Sequence, residues 1–153
     1  MQALELKVPP PIVALLVAGA MWAIALMAER IEMTALVRVG ATLAFAIAGV
    51  GIAISGVIGF RRAHTTVNPT KPKAASSLVT SGVYRFTRNP MYLGLCLVLL
   101  AWASFLSSAL AFLGPILFIF YINRFQIVPE ETALSRIFGA AFSNYQAKVR
   151  RWL

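Results

Sequence analysis

Residues 78–94 read Leu-Val-Thr-Ser-Gly-Val-Tyr-Arg-Phe-Thr-Arg-Asn-Pro-Met-Tyr-Leu-Gly, a polar and basic segment between two long apolar runs. The apolar run that follows, residues 91–128, contains a single charged residue, Arg124. A transmembrane helix needs about 20 apolar residues, so this run is too long for one span and suits two short ones. Ser107 and Ser108 lie near its middle, where we expect a tight turn.

The composition indicates a membrane protein. The chain has 153 residues, of which 59% are hydrophobic and only 12% are charged, whereas a soluble domain carries about 25% charged residues. We expect an all-α fold, a polytopic membrane helical bundle in which residues 1–153 form one domain, because the loops are too short for another core. The net charge of +9 comes from basic residues that flank the apolar runs. Anionic lipid headgroups explain that arrangement better than nucleic acid, and no protein partner is predicted.

Four membrane spans are predicted, followed by an amphipathic helix at the membrane interface. The spans are about residues 11–28, 39–60, 91–106 and 109–125. The loop 61–90 holds six basic residues and no acidic one, so the positive-inside rule places this loop and both termini in the cytoplasm, at a cell's inner (plasma) membrane. In the tail, residues 129–153, Pro129 suits a first helical position, and apolar residues then recur every three or four positions.

Asn89 and Pro90 predict the start of the third span, with Asn89 as the N-cap and Pro90 as the first helical residue. Free backbone N–H groups at such a start can bind an anion, and Tyr92 would lie near the same helix end. The alternative is an ordinary capped span with tyrosine and arginine anchors at the interface, which any membrane protein can have.

The other candidates for chemistry are Arg124, Glu130 and Glu131. Ionisable groups at the depth of Arg124 usually face a cavity or a partner. A glutamate of the pair could bind Arg124 or hold a cationic ligand. The alternative is snorkelling for Arg124 and a favourable helix-start charge for the two glutamates. The chain has one histidine, one cysteine and no aspartate, so no metal site is expected.

Together these segments resemble the membrane-embedded methyltransferases of the isoprenylcysteine carboxyl methyltransferase and phospholipid methyltransferase group. The resemblance covers about residues 60–152. Its features, in the family's order, are Leu78-Val79, Gly82, Tyr84, Arg88-Asn89-Pro90 and Tyr92, then Glu130-Glu131, Leu134, Phe138-Gly139 and Tyr145. Each feature is weak alone, but their order and spacing together are fairly specific.

The resemblance implies an enzyme that binds S-adenosyl-L-methionine in a cytoplasm-facing pocket between the last two spans and the tail. The residues that it places at the cofactor are Ser76, Ser77, Leu78, Val79, Tyr84, Asn89, Pro90, Met91, Tyr92 and Glu130. Arg88 is added to them because its guanidinium can hold the cofactor's carboxylate. The catalytic candidates are Arg124, Glu130 and Glu131, and the methyl acceptor would be a lipophilic or small amphiphilic molecule that comes from the membrane lipid.

Three positions depart from the family's pattern. Asn89 stands where many prenylcysteine enzymes have histidine, and Phe142 replaces the first tyrosine of the tail motif. Gln126 stands where those enzymes have an arginine that holds the substrate carboxylate. These departures favour an amine headgroup or another small amphiphile over a prenylcysteine carboxylate.

Two other function classes remain open. One is a non-catalytic membrane protein of the same fold that binds lipid or acts as a scaffold through its basic face. The other is a small transporter, which the sequence favours least because the first three spans contain no mid-membrane charge.

Overall fold

A computed structural model describes residues 5–63 and 77–153, and within these ranges the chain is helical. The helices are α1 (Pro10–Met27), α2 (Ala35–Arg62), α3 (Pro90–Leu106), α4 (Leu113–Ile122), α5 (Val128–Phe138) and α6 (Ala140–Lys148). Short 3-10 turns lie at Gly82–Arg85 and Ala109–Phe112, and a π-helical turn lies at Asn123–Ile127. The described residues contain no strand, so the predicted all-helical fold class is confirmed.

The apolar helices are those of a membrane bundle. Within the described residues, three stretches are long and apolar enough to cross a membrane: α1, α2 and the continuous helical stretch Ala109–Phe138. Helix α3 is equally apolar but has 17 residues. Helix α2 begins at Ala35, earlier than the predicted 39, because Thr34 caps it: the Thr34 hydroxyl oxygen accepts from the Val37 N–H at 3.4 Å.

Small residues let α2 and α3 pack closely along their length. A Cβ added at Gly49 of α2 would lie 2.7 Å from the carbonyl oxygen of Gly94 in α3. A Cβ at Gly56 would lie 3.0 Å from the Pro90 ring. The start of α3 is therefore held directly against the last turns of α2.

The α1–α2 and α3–α4 connections meet at one end of the bundle. The Ile31 N–H donates to the Ser107 carbonyl oxygen at 2.7 Å, and Arg30 forms an isolated bridge with Ser108. Ser107 ends α3 in a left-handed conformation, with φ +51. Segment 77–89 and the residues next to both chain termini therefore gather at the opposite end.

Helix α5 begins at Val128, one residue before the predicted start at Pro129, but it continues directly from the fourth span and ends at Phe138 instead of running through the tail. Helix α4 continues through the π-helical turn into α5 without a break, and the chain turns only at Gly139, whose φ is +50. Proline lacks an N–H, and a widened π turn already interrupts the α-helical hydrogen bonds there, so Pro129 fits inside a continuous helix. Glycine supplies the positive φ that separates α5 from α6.

Candidate active site

A small cavity of about 70 Å³ lies at the end of the bundle where segment 77–89 meets the tail. Four parts of the chain form its walls: the end of α2, segment 77–89, α5 and α6. Its lining residues are Phe60, Ser77, Leu78, Val79, Tyr84, Arg88, Asn89, Glu130, Glu131, Leu134, Phe142 and Tyr145. The two segments that the sequence singled out, far apart in the chain, are thus brought together around one space.

Glu130 presents a half-buried carboxyl group to this cavity. The hydroxyl of Tyr92, which is 4% exposed on the first turn of α3, donates to Glu130 Oε1. Within residues 5–63 and 77–153, no basic side chain forms an ion pair with Glu130. A carboxylate withdrawn from water is unfavourable without a partner, so this site suits a cationic ligand.

The adjacent Glu131 has a different role, because two arginines hold it. Arg88 Nη2 lies 3.1 Å from Glu131 Oε1, and Arg151 Nη2 lies 2.7 Å from Glu131 Oε2. Arg88 Nε, by contrast, is buried and has no hydrogen-bond partner in the described part of the chain. As far as the described residues go, the site therefore offers one carboxyl group without a basic partner and one guanidinium N–H without an acceptor.

The C-terminal segment closes over the start of α3. The Arg88 N–H donates to the Arg150 carbonyl oxygen at 3.0 Å. Asn89 Nδ2 donates to the Arg151 carbonyl oxygen at 2.9 Å. Asn89 stands at the N-cap position of α3 and Pro90 is its first residue, as predicted, but the Asn89 side chain makes no capping bond. The Asn89 side-chain amide donates to the Arg151 carbonyl oxygen instead. The backbone N–H of Asn89 donates to the Thr87 hydroxyl oxygen at 3.2 Å.

Two tyrosines connect the tail to the segment before α3. The Tyr145 hydroxyl donates to the Tyr84 carbonyl oxygen at 2.7 Å, and the Tyr84 hydroxyl donates to the Gly56 carbonyl oxygen at 3.4 Å. Burial raises the pKa of Tyr145 to about 12, although the positive charge of Arg88 opposes the shift. Burial, then the charges of Tyr145 and Glu130, raise the pKa of Tyr84 well above its ordinary value. Both phenols therefore stay neutral and keep their donor role across the physiological pH range.

The other predicted residues fall into three groups. Leu78 and Val79 line the cavity, as does Ser77, whose hydroxyl donates to the Ala63 carbonyl oxygen at 3.0 Å. Pro90 and Met91 pack toward α2, and Ser76 lies outside the described residues.

Arg124 is not brought to the cavity. Its guanidinium pairs with Glu5 at 2.8 Å and lies over the Phe125 ring, and its side chain is 47% exposed. No local sequence pattern predicts this pairing, because Glu5 lies near the other end of the chain and outside every apolar run.

The predicted site omitted several lining residues. Leu134 and Tyr145 belong to the spacing pattern that marks the tail, so a signal for them existed. No sequence signal marked Phe60 as a site residue, since an aromatic residue at the end of a span is ordinary. Arg151 contacts the site through its ion pair with Glu131, and that pairing depends on the chain turning at Gly139.

The family model for phospholipid methyltransferases matches residues 36–141, from the start of α2 into α6. The chain belongs to the phospholipid methyltransferase family. This match spans both segments around the cavity, including Tyr92 and Glu130. An uncharacterised protein of Haemophilus influenzae is 56% identical over 63 residues, which are 41% of this chain and the whole of that protein. No solved structure matches the chain significantly.

Proposed function

We propose that this member of the phospholipid methyltransferase family transfers a methyl group from S-adenosylmethionine to a lipophilic or small amphiphilic acceptor at the cytoplasmic face of the membrane. The observation that carries the proposal is Glu130, a half-buried carboxyl group that lines the cavity, is held by Tyr92 and has no basic partner among the described residues. Family membership supports methyl transfer as the reaction class.

The donor set fits the cofactor's chemical groups. S-adenosylmethionine carries an ammonium, a sulfonium, a carboxylate and an adenine. Glu130 would hold a cationic group, and the unused Arg88 Nε would donate to the carboxylate. The rings of Phe60, Tyr84 and Phe142 line the cavity and offer apolar surface for the adenine. Phe60 meets Tyr84 edge to face, with 5.2 Å between ring centroids.

The cavity must widen to admit such a ligand, because ligand pockets usually measure about 300–1,000 Å³ and this one measures about 70 Å³. One wall is formed by α5 and α6, which meet at Gly139. The hydrogen bonds from Arg88 and Asn89 to the C-terminal carbonyl oxygens tie that wall to α3. An outward movement of the tail would have to break these bonds and the bond from Tyr145 to the Tyr84 carbonyl oxygen.

The bound cofactor would supply an electrophilic methyl group on a sulfonium, and its transfer is an in-line displacement. The chain's own part is alignment and exclusion of water. Tyr92 fixes the Glu130 carboxyl group from the α3 side. Glu131 forms ion pairs with Arg88, which lines the cavity, and with Arg151. Glu130 has no basic partner among the described residues, so it, and not Glu131, is available either to hold the cofactor's cationic group or to take a proton from an amine acceptor.

A lateral groove supports a lipophilic acceptor. A space of about 600 Å³ opens between α1, α2 and α3, and its walls are apolar. Its one side-chain hydroxyl, that of Thr42, already donates to the Arg38 carbonyl oxygen at 2.8 Å. The groove runs along α3 from Leu95, one turn after Tyr92, to Phe105. A hydrocarbon chain in this groove would have its polar end near Glu130.

Transfer of a labelled methyl group tests the proposal. Membranes that contain the wild-type chain are incubated with S-adenosylmethionine labelled on the methyl group, and label in extracted lipid is counted. We expect labelled lipid with wild type and with Glu32→Gln, a variant in the exposed α1–α2 connection, and little with Glu130→Gln. Equal label in membranes with and without the protein would refute the enzyme function.

A further inference from the structure

A second cavity, of about 710 Å³, lies beside the end of α2. One wall is formed by residues from the last two turns of α2, and the other by residues 81–83, at the start of the 3-10 turn that precedes α3. Among the described residues, this cavity shares no lining residue with the cavity at Glu130. Its volume lies within the range of about 300–1,000 Å³ that is usual for ligand sites.

The two cavities adjoin where Tyr84 packs against α2. Tyr84 lines the active-site cavity, and Gly59 lines the second one. A Cβ added at Gly59 would lie 3.1 Å from the Tyr84 ring, and the Tyr84 hydroxyl donates to the Gly56 carbonyl oxygen at 3.4 Å. The second cavity is therefore a neighbour of the methyl-transfer site and not an extension of it.

Arg62 brings to this cavity a positive charge that no carboxylate of the chain neutralises. The chain has five acidic residues, and all five lie in the described ranges. Glu5 and Glu131 pair with other arginines, Glu130 lines the other cavity, and the remaining two lie in the α1–α2 connection. Within the described residues Arg62 thus has no ion-pair partner, and a negatively charged ligand is complementary to the cavity.

The cavity extends from the headgroup level into the apolar part of the membrane. Helix α2 has 28 residues and is therefore about 42 Å long, more than the hydrocarbon core of about 30 Å. Ser55, at the apolar end of the cavity, precedes Arg62 by seven positions, a rise of about 10 Å. Ile58, which lines the cavity, and Ile54 beside it are exposed, as residues that face lipid are.

We propose that this cavity binds the headgroup of an anionic phospholipid that carries no amine, and that this lipid is a bound ligand and not a methyl acceptor. The Arg62 guanidinium would donate to phosphate oxygens, a pairing that arginine makes in two-pronged geometry. Ser81, on the opposite wall, adds a hydroxyl. A soluble phosphate would leave the apolar part of the cavity unused, so its mixed lining favours the lipid. Such a site would exist whether or not the chain transfers methyl groups.

The test compares phosphatidylglycerol with phosphatidylcholine of the same acyl chains. Each lipid is titrated into purified wild type, Arg62→Gln and Arg61→Gln in a neutral detergent. Arg61→Gln is the matched control, because Arg61 is exposed and adjacent in the chain but does not line the cavity. We expect wild type to prefer phosphatidylglycerol by at least about tenfold, the effect of one charge-assisted contact, and Arg62→Gln to lose that preference. Arg61→Gln should weaken binding by no more than about fivefold, the effect of one basic side chain near an anionic surface.

A second pair of variants tests the cavity without a change of charge. Ser55→Trp places a large side chain at the apolar end of the cavity and should weaken the binding of phosphatidylglycerol. Gly51→Trp is its control, because Gly51 lies one turn earlier on α2, outside the cavity, and a Cβ there meets nothing within 4 Å. The affinity of Gly51→Trp for phosphatidylglycerol should equal that of wild type.

Equal losses in Arg62→Gln and Arg61→Gln would mean attraction to a basic surface in general and would overturn the inference. Glycerol phosphate that binds as tightly as phosphatidylglycerol would assign the cavity to a soluble phosphate and would also overturn it. All of these titrations are made without S-adenosylmethionine, so they do not depend on methyl transfer. A preference for phosphatidylglycerol in a protein that binds no S-adenosylmethionine would refute the proposed function alone.

Discussion

Replacing Glu130 by glutamine removes one charge from the cavity at almost constant size. The glutamine carbonyl can still accept from Tyr92, so the local packing should survive. What is lost is the attraction to the ligand's cation. A hydrogen bond to a charged group contributes about 1.5–3 kcal/mol, which corresponds to a loss of about tenfold to over a hundredfold in affinity for S-adenosylmethionine. Because Glu130 is half-buried, solvent screening should not reduce this to the near-zero value of surface pairs.

The assay is calorimetric titration of S-adenosylmethionine into purified protein in detergent, with two matched controls. Glu32→Gln removes an exposed charge and should leave the dissociation constant unchanged. Glu131→Gln weakens the pairs with Arg88 and Arg151, so it should lower thermal stability, whereas Glu130→Gln should not. The same dissociation constant for Glu130→Gln and Glu32→Gln would remove Glu130 from the site.

Three further predictions concern packing, the tail and topology. A Cβ at Gly49 would lie 2.7 Å from a carbonyl oxygen of α3, whereas one at Gly51 meets nothing within 4 Å; Gly49→Val should therefore destabilise the fold by about 1–3 kcal/mol in thermal unfolding, with Gly51→Val as the unaffected control. Tyr145→Phe removes the 2.7 Å bond to a backbone carbonyl oxygen and should lower stability by about 1 kcal/mol; an unchanged unfolding temperature would contradict that role. Reporters fused at Ser107 and at Leu153 should lie on opposite sides of the membrane. Labelling of both reporters on the same side would contradict the predicted topology of four spans.

Much of the bundle could be predicted because apolar runs bounded by charges determine where membrane helices lie. The third helix starts at Pro90, the predicted first helical residue, and ends at Leu106, the predicted end of the span. The sequence patterns also predicted Tyr84, Arg88, Asn89 and the two glutamates as site residues. The structure brings all of them to one cavity. Their roles in binding stay predictions.

Contacts between distant residues could not be predicted, because local patterns do not encode them. Arg124 lies at a depth that suggested a functional role, and the structure pairs it with Glu5, 119 positions earlier. Asn89 is the N-cap residue as predicted, but its side-chain amide donates to the Arg151 carbonyl oxygen instead of capping α3. The π-helical turn that joins α4 to α5 ahead of Pro129 likewise has no signal in the local sequence pattern.

The central claim, that the cavity at Glu130 binds S-adenosylmethionine, is tested most directly by titrating the cofactor into purified, folded wild-type protein without added metal. We predict saturable binding of S-adenosylmethionine and of its demethylated product, with a higher unfolding temperature in the presence of either. No heat of binding and no thermal stabilisation at millimolar cofactor, from protein shown to be folded, would contradict the account.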